Sequence, residues 1–171
     1  MELKITQATE TDIPLIISMA EVTFRHTYRD ILTAEQIEYM MEWMYSAKSL
    51  EKQLLNGHRF FIATNKDIPC GYMSIQKEGI TDDGITTYHL HKLYVLPEKQ
   101  YNGIGNLLFD HAFQYAAQDK NTPEARIKLN VNRSNKAIGF YLRKGMKIVS
   151  EGDFPIGSGY YMNDYIMSLE L

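Results

Sequence analysis

The stretch LYVLPEKQYNGIGNLLF, residues 93–109, decides the fold of this 171-residue chain. It begins as an extended apolar run that Pro97 ends, and it finishes as a helix with apolar residues at helical spacing. Residues 100–105 must therefore bend sharply from a strand into a helix N-terminus, and glycines at positions 103 and 105 let the backbone approach a ligand closely. The first N–H groups of the helix and its dipole attract anions, so the bend predicts a pyrophosphate-binding loop.

Two other phosphate-binding loops can be tested against the same residues. A dinucleotide-binding loop needs a third glycine where this chain has Leu108, and a nucleoside-triphosphate loop needs Gly-Lys-Ser/Thr where it has Gly105-Asn106-Leu107. Both are excluded. A lone G-x-G can also be an ordinary tight turn, so the surrounding sequence has to decide.

The periodicity on either side of the bend predicts an α+β domain with one strand-to-helix crossover at its centre. On the amino-terminal side we expect a strand around Leu3 and Ile5, three helical pieces between Thr9 and Gly57, a hairpin over 58–64 and 70–76, and a strand over 87–96. On the carboxy-terminal side we expect a strand over 126–131, a helix over 136–144, and two strands over 146–150 and 160–169.

Composition limits the class of protein. With 171 residues, 44% hydrophobic residues and no linker or repeat, residues 1–171 are expected to form a single domain. A net charge of −3 without a basic cluster argues against nucleic acid, and no apolar run approaches a membrane span or a secretion signal, so we expect a cytoplasmic protein that binds no membrane. One cysteine, Cys70, excludes an internal disulfide and a multi-cysteine zinc site.

The bend and its surroundings resemble the GCN5-related N-acetyltransferase (GNAT) family. Residues 100–105 match the family's acetyl-coenzyme A motif Q/R-x-x-G-x-G/A, and LYVLPE at 93–98 is similar to its preceding strand. NKAIGFY at 135–141, followed by KGM at 144–146, is similar to a later helix of the family. The resemblance covers nearly the whole chain. It implies a three-layer α+β fold with a mixed, mostly antiparallel central sheet that is splayed in the middle and flanked by helices.

The same resemblance implies that acetyl-CoA, as co-substrate, lies in the V between the fourth and fifth strands. Backbone groups of the fourth strand would pair with the pantetheine arm, helix N–H groups would hold the pyrophosphate, and Asn135 would contact the cofactor from the other side. The implied cofactor-binding residues are Leu93, Tyr94, Val95, Gln100, Tyr101, Asn102, Gly103, Ile104, Gly105, Asn106, Asn135, Ile138 and Tyr141.

Acetyl transfer to an amine needs a neutral nucleophile, a stabilised oxyanion and a protonated leaving thiolate. The resemblance makes Tyr141 the proton donor to the thiolate, with a backbone N–H near Val95 for the oxyanion. Many relatives carry a glutamate on the fourth strand where this chain has His89, and His91 shares its face, so either histidine could accept the amine proton directly or through water. His-x-His supplies only two metal ligands, and we expect no metal.

The acceptor is less constrained than the donor. A small amine or polyamine is favoured, because Phe24-x-x-Thr27-Tyr28 and residues 161–167 resemble the bacterial polyamine acetyltransferases. The expected wall of the acceptor site also carries acidic residues that could attract a cation: Glu21, Asp30, Glu35, Glu38 and Glu42. Peptide N-termini and lysines remain alternatives, as does a non-catalytic acyl-CoA sensor. The aromatic carboxy-terminal strand could pair across a homodimer.

Overall fold

A computed structural model describes residues 1–100 and 102–171 of the chain. Five helices flank one sheet: α1 Ile13–Tyr28, α2 Ala34–Tyr45, α3 Ala47–Leu55, α4 Ile104–Asp119 and α5 Ala137–Arg143. The sheet contains β1 Leu3–Gln7, β2 Arg59–Asn65, β3 Ile68–Ile80, β4 Ile85–Val95, β5 Glu124–Asn132, β6 Lys147–Gly157 and β7 Tyr160–Glu170. The elements follow the predicted order, and the hairpin strand β3 and the strand β6 run further than their apolar patterns indicated.

The sheet has the order β1-β2-β3-β4-β5-β7-β6. The β4–β5 pair is parallel and the other described pairs are antiparallel, because the α4 crossover returns the chain in the same direction. This mixed, mostly antiparallel sheet confirms the predicted fold class.

Two hydrophobic cores lie on opposite faces of the sheet. One core packs α4 and α5 against the sheet around Leu108, Phe109, Ile127 and Tyr141. The other packs α1, α2 and α3 against it, with apolar residues that include Phe24, Tyr45, Leu50 and Tyr72. Because both faces are covered, consecutive residues are buried in the central strands, over 70–75 of β3 and 85–88 of β4.

Side chains cap the starts of two helices. The Thr33 side chain accepts a hydrogen bond from the Gln36 N–H at 3.2 Å and begins α2, and Ser46 does the same for the Ser49 N–H at 3.1 Å in α3. Among the described helices, none is long and apolar enough to cross a bilayer.

Candidate active site

The sheet opens in the middle, between β4 and β5. The parallel pairing covers Ile85–His89 opposite Glu124–Lys128 and stops there, while β4 continues to Val95 and β5 continues to Asn132. Past this point β5 pairs with β7 and β4 pairs with β3, so their facing edges diverge into a V. The splay expected from the family resemblance is therefore present.

Peptide groups of β4 face into this V. The N–H of Leu96 donates to the Cys70 carbonyl at 2.8 Å and so points toward β3. Because hydrogen-bonding direction alternates along a strand, the peptide groups of Val95 and Leu93 point the other way, toward the gap. This is the orientation that an extended ligand would need in order to pair with β4 as a substitute strand.

The N-terminus of α4 lies at the end of the same strand. Leu107 makes the first helical bond, to the Gly103 carbonyl at 3.0 Å, which leaves the N–H groups of Ile104, Gly105 and Asn106 outside the helical hydrogen-bond pattern. Gly103 itself has φ +79°, a left-handed conformation that glycine adopts without strain. The loop therefore presents several peptide donors and the positive end of a helix dipole to solvent.

The remaining loop residues have separate positions. Gln100 turns back, and its amide Nε2 donates to the Val95 carbonyl at 3.3 Å, which links the loop to β4. Asn102 is exposed, as are Gly103 and Asn106. Tyr101 lies outside the described residues.

Helix α5 forms the opposite wall of the V. Asn135 begins it, with its side-chain oxygen accepting from the Ala137 N–H at 2.8 Å and its Nδ2 donating to the Tyr28 hydroxyl at 3.4 Å. Ile138 packs against the core, and Tyr141 is 7% exposed. Burial, and to a lesser extent the nearby Tyr28, raises the pKa of Tyr141 above the ordinary tyrosine value, so its phenol is protonated at neutral pH.

His89 and His91 share one face of β4, as their spacing predicted, and a third histidine joins them. The three rings form a stack, with His91 between His89 and His58 and centroids 4.3 Å apart on each side. Desolvation of the ring, with smaller contributions from His89, His58 and Lys92, lowers the pKa of His91 to about 2. His89 instead lies 3.6 Å from the Glu78 carboxylate, and this interaction lowers the pKa of Glu78 to about 2.

The hydrogen bonds of His91 define its tautomer. The Gln76 amide donates through Nε2 to the Asn56 carbonyl, which leaves its Oε1 to accept from His91 Nε2 at 2.9 Å. His91 therefore carries its proton on Nε2 and has a free lone pair on Nδ1. The stack lies where the V begins, and His89 precedes Leu93 by four residues of β4, roughly 13 Å of extended chain.

A small cavity lies on the α1–α2 side of the sheet, toward the wide end of the V. It has a volume of about 20 Å³, enough for one water-sized group, and its walls include Tyr28, Met40, Asn132 and Asp164. The expected acidic helix face is partly neutralised: Arg25 pairs with Glu21 at 2.7 Å and also with Glu38.

Sequence reasoning missed three residues near the V. His58 completes the imidazole stack, Lys92 is 7% exposed, and Asp164 is 2% exposed. Only Asp164 had a signal that could have found it, since it is a charged residue inside a strand whose same-face neighbours, Met162 and Ile166, are apolar. The burial of His58 and Lys92 depends on strand register, which a single sequence does not encode locally.

Comparison with known families settles the class of protein. A model of the acetyltransferase (GNAT) domain matches residues 28–154. The chain belongs to the GNAT family. Membership identifies it as an N-acetyltransferase, an acyltransferase class whose acetyl donor is acetyl-CoA, and it confirms the family predicted from residues 93–109 and 135–146.

Individual GNAT relatives are distant from this chain. An uncharacterised N-acetyltransferase from Lactobacillus delbrueckii subsp. lactis is 24% identical over 91% of this chain and 90% of its own length. The peptidyl-lysine N-acetyltransferase YjaB of Salmonella typhimurium is 29% identical over 53% of this chain and 50% of its own length. Among solved structures, the PaiA N-acetyltransferase of Thermoplasma acidophilum, in complex with coenzyme A, superposes with a TM-score of 0.78 at 24% identity over all of both chains.

Proposed function

We propose that this GNAT enzyme transfers acetyl from acetyl-CoA to the primary amine of a small molecule, with a polyamine favoured, by direct attack in a ternary complex. The observation that carries the proposal is the divergence of β4 from β5 after His89, directly beside the N-terminus of α4. One extended ligand with a diphosphate at one end and a thioester at the other can satisfy both features.

The donor would occupy the V. Its pantetheine arm would pair with the peptide groups of Leu93 and Val95, and its pyrophosphate would bind the N–H groups that precede Leu107. Asn135 and Ile138 would contact it from α5. The solved PaiA structure, which has the same fold and is in complex with coenzyme A, supports this assignment.

Direct attack on the thioester is favoured over an acyl-enzyme. Cys70, the cysteine of this chain, is fully buried in the core and its thiol lies 3.2 Å from the Ile68 carbonyl, so it cannot reach a substrate. Tyr141, whose phenol is protonated at neutral pH, would donate its proton to the departing thiolate.

We propose that the imidazole stack exports protons rather than contacting the amine directly. Direct proton transfer needs about 3 Å between heavy atoms, and along extended chain His89 lies four residues from Leu93 and His91 lies two residues from it, roughly 13 Å and 7 Å. We therefore propose that His89, paired with Glu78, receives protons through water, with neutral His91 beside it. This retains both histidines in the predicted catalytic set but gives them an indirect role.

A protein lysine is the second candidate acceptor, because a relative that matches half of this chain is a peptidyl-lysine acetyltransferase. The cavity beside Asp164, with a volume of about 20 Å³, admits an ammonium group on a slender chain, a requirement that a small amine and a lysine side chain both meet. A non-catalytic acyl-CoA sensor would keep the donor site and lack turnover.

The deciding experiment measures acetyl-CoA consumption with spermidine, butylamine, a peptide N-terminus and a peptide lysine, alongside calorimetric titration of coenzyme A. We expect turnover with the small amines, and at least a hundredfold lower kcat for Tyr141→Phe with little change in KM. Tyr115→Phe on α4 is the matched control and should behave like the wild type. Tight coenzyme A binding without turnover on any amine would support the sensor, and no binding heat at all would overturn the donor site.

A further inference from the structure

Asp164 is a buried carboxylate with very few hydrogen bonds. It is 2% exposed, and within the described residues its side chain accepts one hydrogen bond, from Asn130 Nδ2 at 3.3 Å. A buried anion is costly unless a cation or several donors compensate it. The site thus lacks the positive partner that a stable buried carboxylate normally has.

The nearest cation is committed elsewhere. The Arg133 guanidinium lies 2.7 Å from Asp153 and 3.6 Å from Glu151 on β6. Toward Asp164 it donates only to the main-chain carbonyl, at 3.4 Å. Burial accordingly raises the pKa of the Asp164 carboxyl, with Asn130 and Arg133 opposing the shift weakly.

The other elements around Asp164 supply polar but uncharged groups. Asn132 of β5 lies opposite it in the β5–β7 register and Gly152 lies opposite it on β6. Tyr28 from α1 and Gln36 from α2 line the same cavity. Among the described groups, the charged neighbours are therefore Arg133 and the two carboxylates that Arg133 already binds.

The cavity that Asp164 lines has the character of an ammonium site. Its other walls include the apolar side chains of Leu32, Met40 and Met162, and half-exposed Tyr161 brings it to the surface. Its volume of about 20 Å³ suits a single ammonium-sized group. An alkylammonium has the required shape, with a cation for the carboxylate and methylenes for the apolar walls.

The cavity also adjoins the donor side of the V. Tyr28 lines it, its hydroxyl accepts a hydrogen bond from Asn135 Nδ2 at 3.4 Å, and Tyr28 lies close enough to Tyr94 of β4 for each to affect the pKa of the other. Tyr28 is close enough to influence both Asp164 and Tyr141 electrostatically. An amine held by Asp164 is therefore adjacent to the residues that would flank the thioester.

Building on the proposed function, we infer that Asp164 is the acceptor-binding carboxylate, which pairs with the protonated primary amine of a slender alkylamine and takes its proton. The amine nitrogen then attacks the thioester carbonyl carbon, and the C–S bond breaks. The thiolate takes the Tyr141 proton, and the second nitrogen proton restores the phenol. Asp164 releases the first proton to solvent, so the cycle yields amide, free thiol and one proton.

The test compares Asp164→Asn with the wild type on spermidine and butylamine. We expect at least a hundredfold loss of kcat/KM for Asp164→Asn, and unchanged coenzyme A affinity by calorimetry. The wild-type pH profile should carry an acidic limb above the ordinary aspartate range, and the residual activity of the variant should lack it. Exposed Asp82, in the β3–β4 turn, provides the matched control Asp82→Asn, which should keep wild-type kinetics and the limb.

Thermal unfolding separates this role from a structural one. Replacing an under-compensated buried carboxylate by its amide should leave the melting temperature equal or higher. A lower melting temperature with an unchanged pH profile would make Asp164 structural and overturn the inference. Wild-type kinetics in Asp164→Asn would also overturn it and leave the proposed function intact, whereas failure of the proposed function would appear as an inactive wild type.

Discussion

Lys92 is buried in the core between the sheet and the α2–α3 pair. Its ammonium donates to Gln53 Oε1 at 2.7 Å and lies 5.5 Å and 5.3 Å from the ring centroids of Tyr45 and Phe60. One hydrogen bond and two ring faces replace a full hydration shell, and burial lowers the pKa of Lys92 to about 7. We predict that Lys92→Met removes a specific pH dependence of stability.

The sign and size follow from proton linkage. The lysine pKa falls from 10.5 in the unfolded chain to about 7 in the folded one, so the unfolded chain binds more protons between these values. Stability therefore rises with pH across this window, and the cost of burying the charge is fully present below pH 7. Each pKa unit corresponds to about 1.4 kcal/mol, so the wild type should gain about 3 kcal/mol relative to Lys92→Met between pH 7 and pH 9.5.

Urea unfolding at pH 7 and pH 9.5 measures this difference directly. The matched control is Lys48→Met, at an exposed lysine on α3, whose free energy of unfolding should run parallel to that of the wild type. At pH 7 the Lys92→Met variant should be the more stable protein, because a methionine fills the site without a charge. A constant offset between wild type and Lys92→Met at both pH values would refute the reasoning.

Two further predictions concern glycines. Gly103→Ala should lower the free energy of unfolding by about 1–2 kcal/mol, because alanine is strained at this left-handed φ, and should also weaken coenzyme A binding. The control Gly84→Ala, at φ +83° and with equally open surroundings, should lose similar stability and keep the wild-type affinity. Urea unfolding and calorimetry measure the two effects, and equal affinities of the two variants would contradict the loop assignment. Gly71→Ala should lower the free energy of unfolding by at least about 2 kcal/mol, because its Cβ would lie 2.6 Å from the Tyr94 carbonyl oxygen. A urea midpoint equal to that of the wild type would show that β3 and β4 can move apart at no cost.

The elements that the sequence predicted well have local causes. The hairpin turn between β2 and β3 and the start of α4 after Gly103 each depend on a few adjacent residues, and the structure has both in the predicted places. Strand ends were less predictable. The strands β3 and β6 extend through polar residues because a neighbouring strand supplies hydrogen bonds there, whatever the side-chain pattern.

The candidate site divides in the same way. The β4–α4 part of the candidate donor site was predictable because it consists of peptide groups and glycines within one continuous segment. The acceptor side was not, because it joins α1, α2, β5 and β7, which are far apart along the chain. The acidic helix face illustrates the limit. Glu21 pairs with Arg25 one turn away on α1, and the packing of α1 on α2 brings Glu38 to the same arginine, so neither carboxylate is free for a cation.

The arrangement of β4 connects the buried lysine with the opening of the sheet. The β3–β4 register passes from Leu90 to Lys92 with His91 as the extra residue of a bulge. Leu90 and Leu93 therefore reach the same core although they are three residues apart, and Lys92 turns toward the α2–α3 side. A bulge increases local twist, and this one begins two residues after the last β4–β5 pair, His89 with Lys128. The extra residue thus accounts for both features: it rotates β4 away from β5 to open the V, and it moves a lysine into an apolar core.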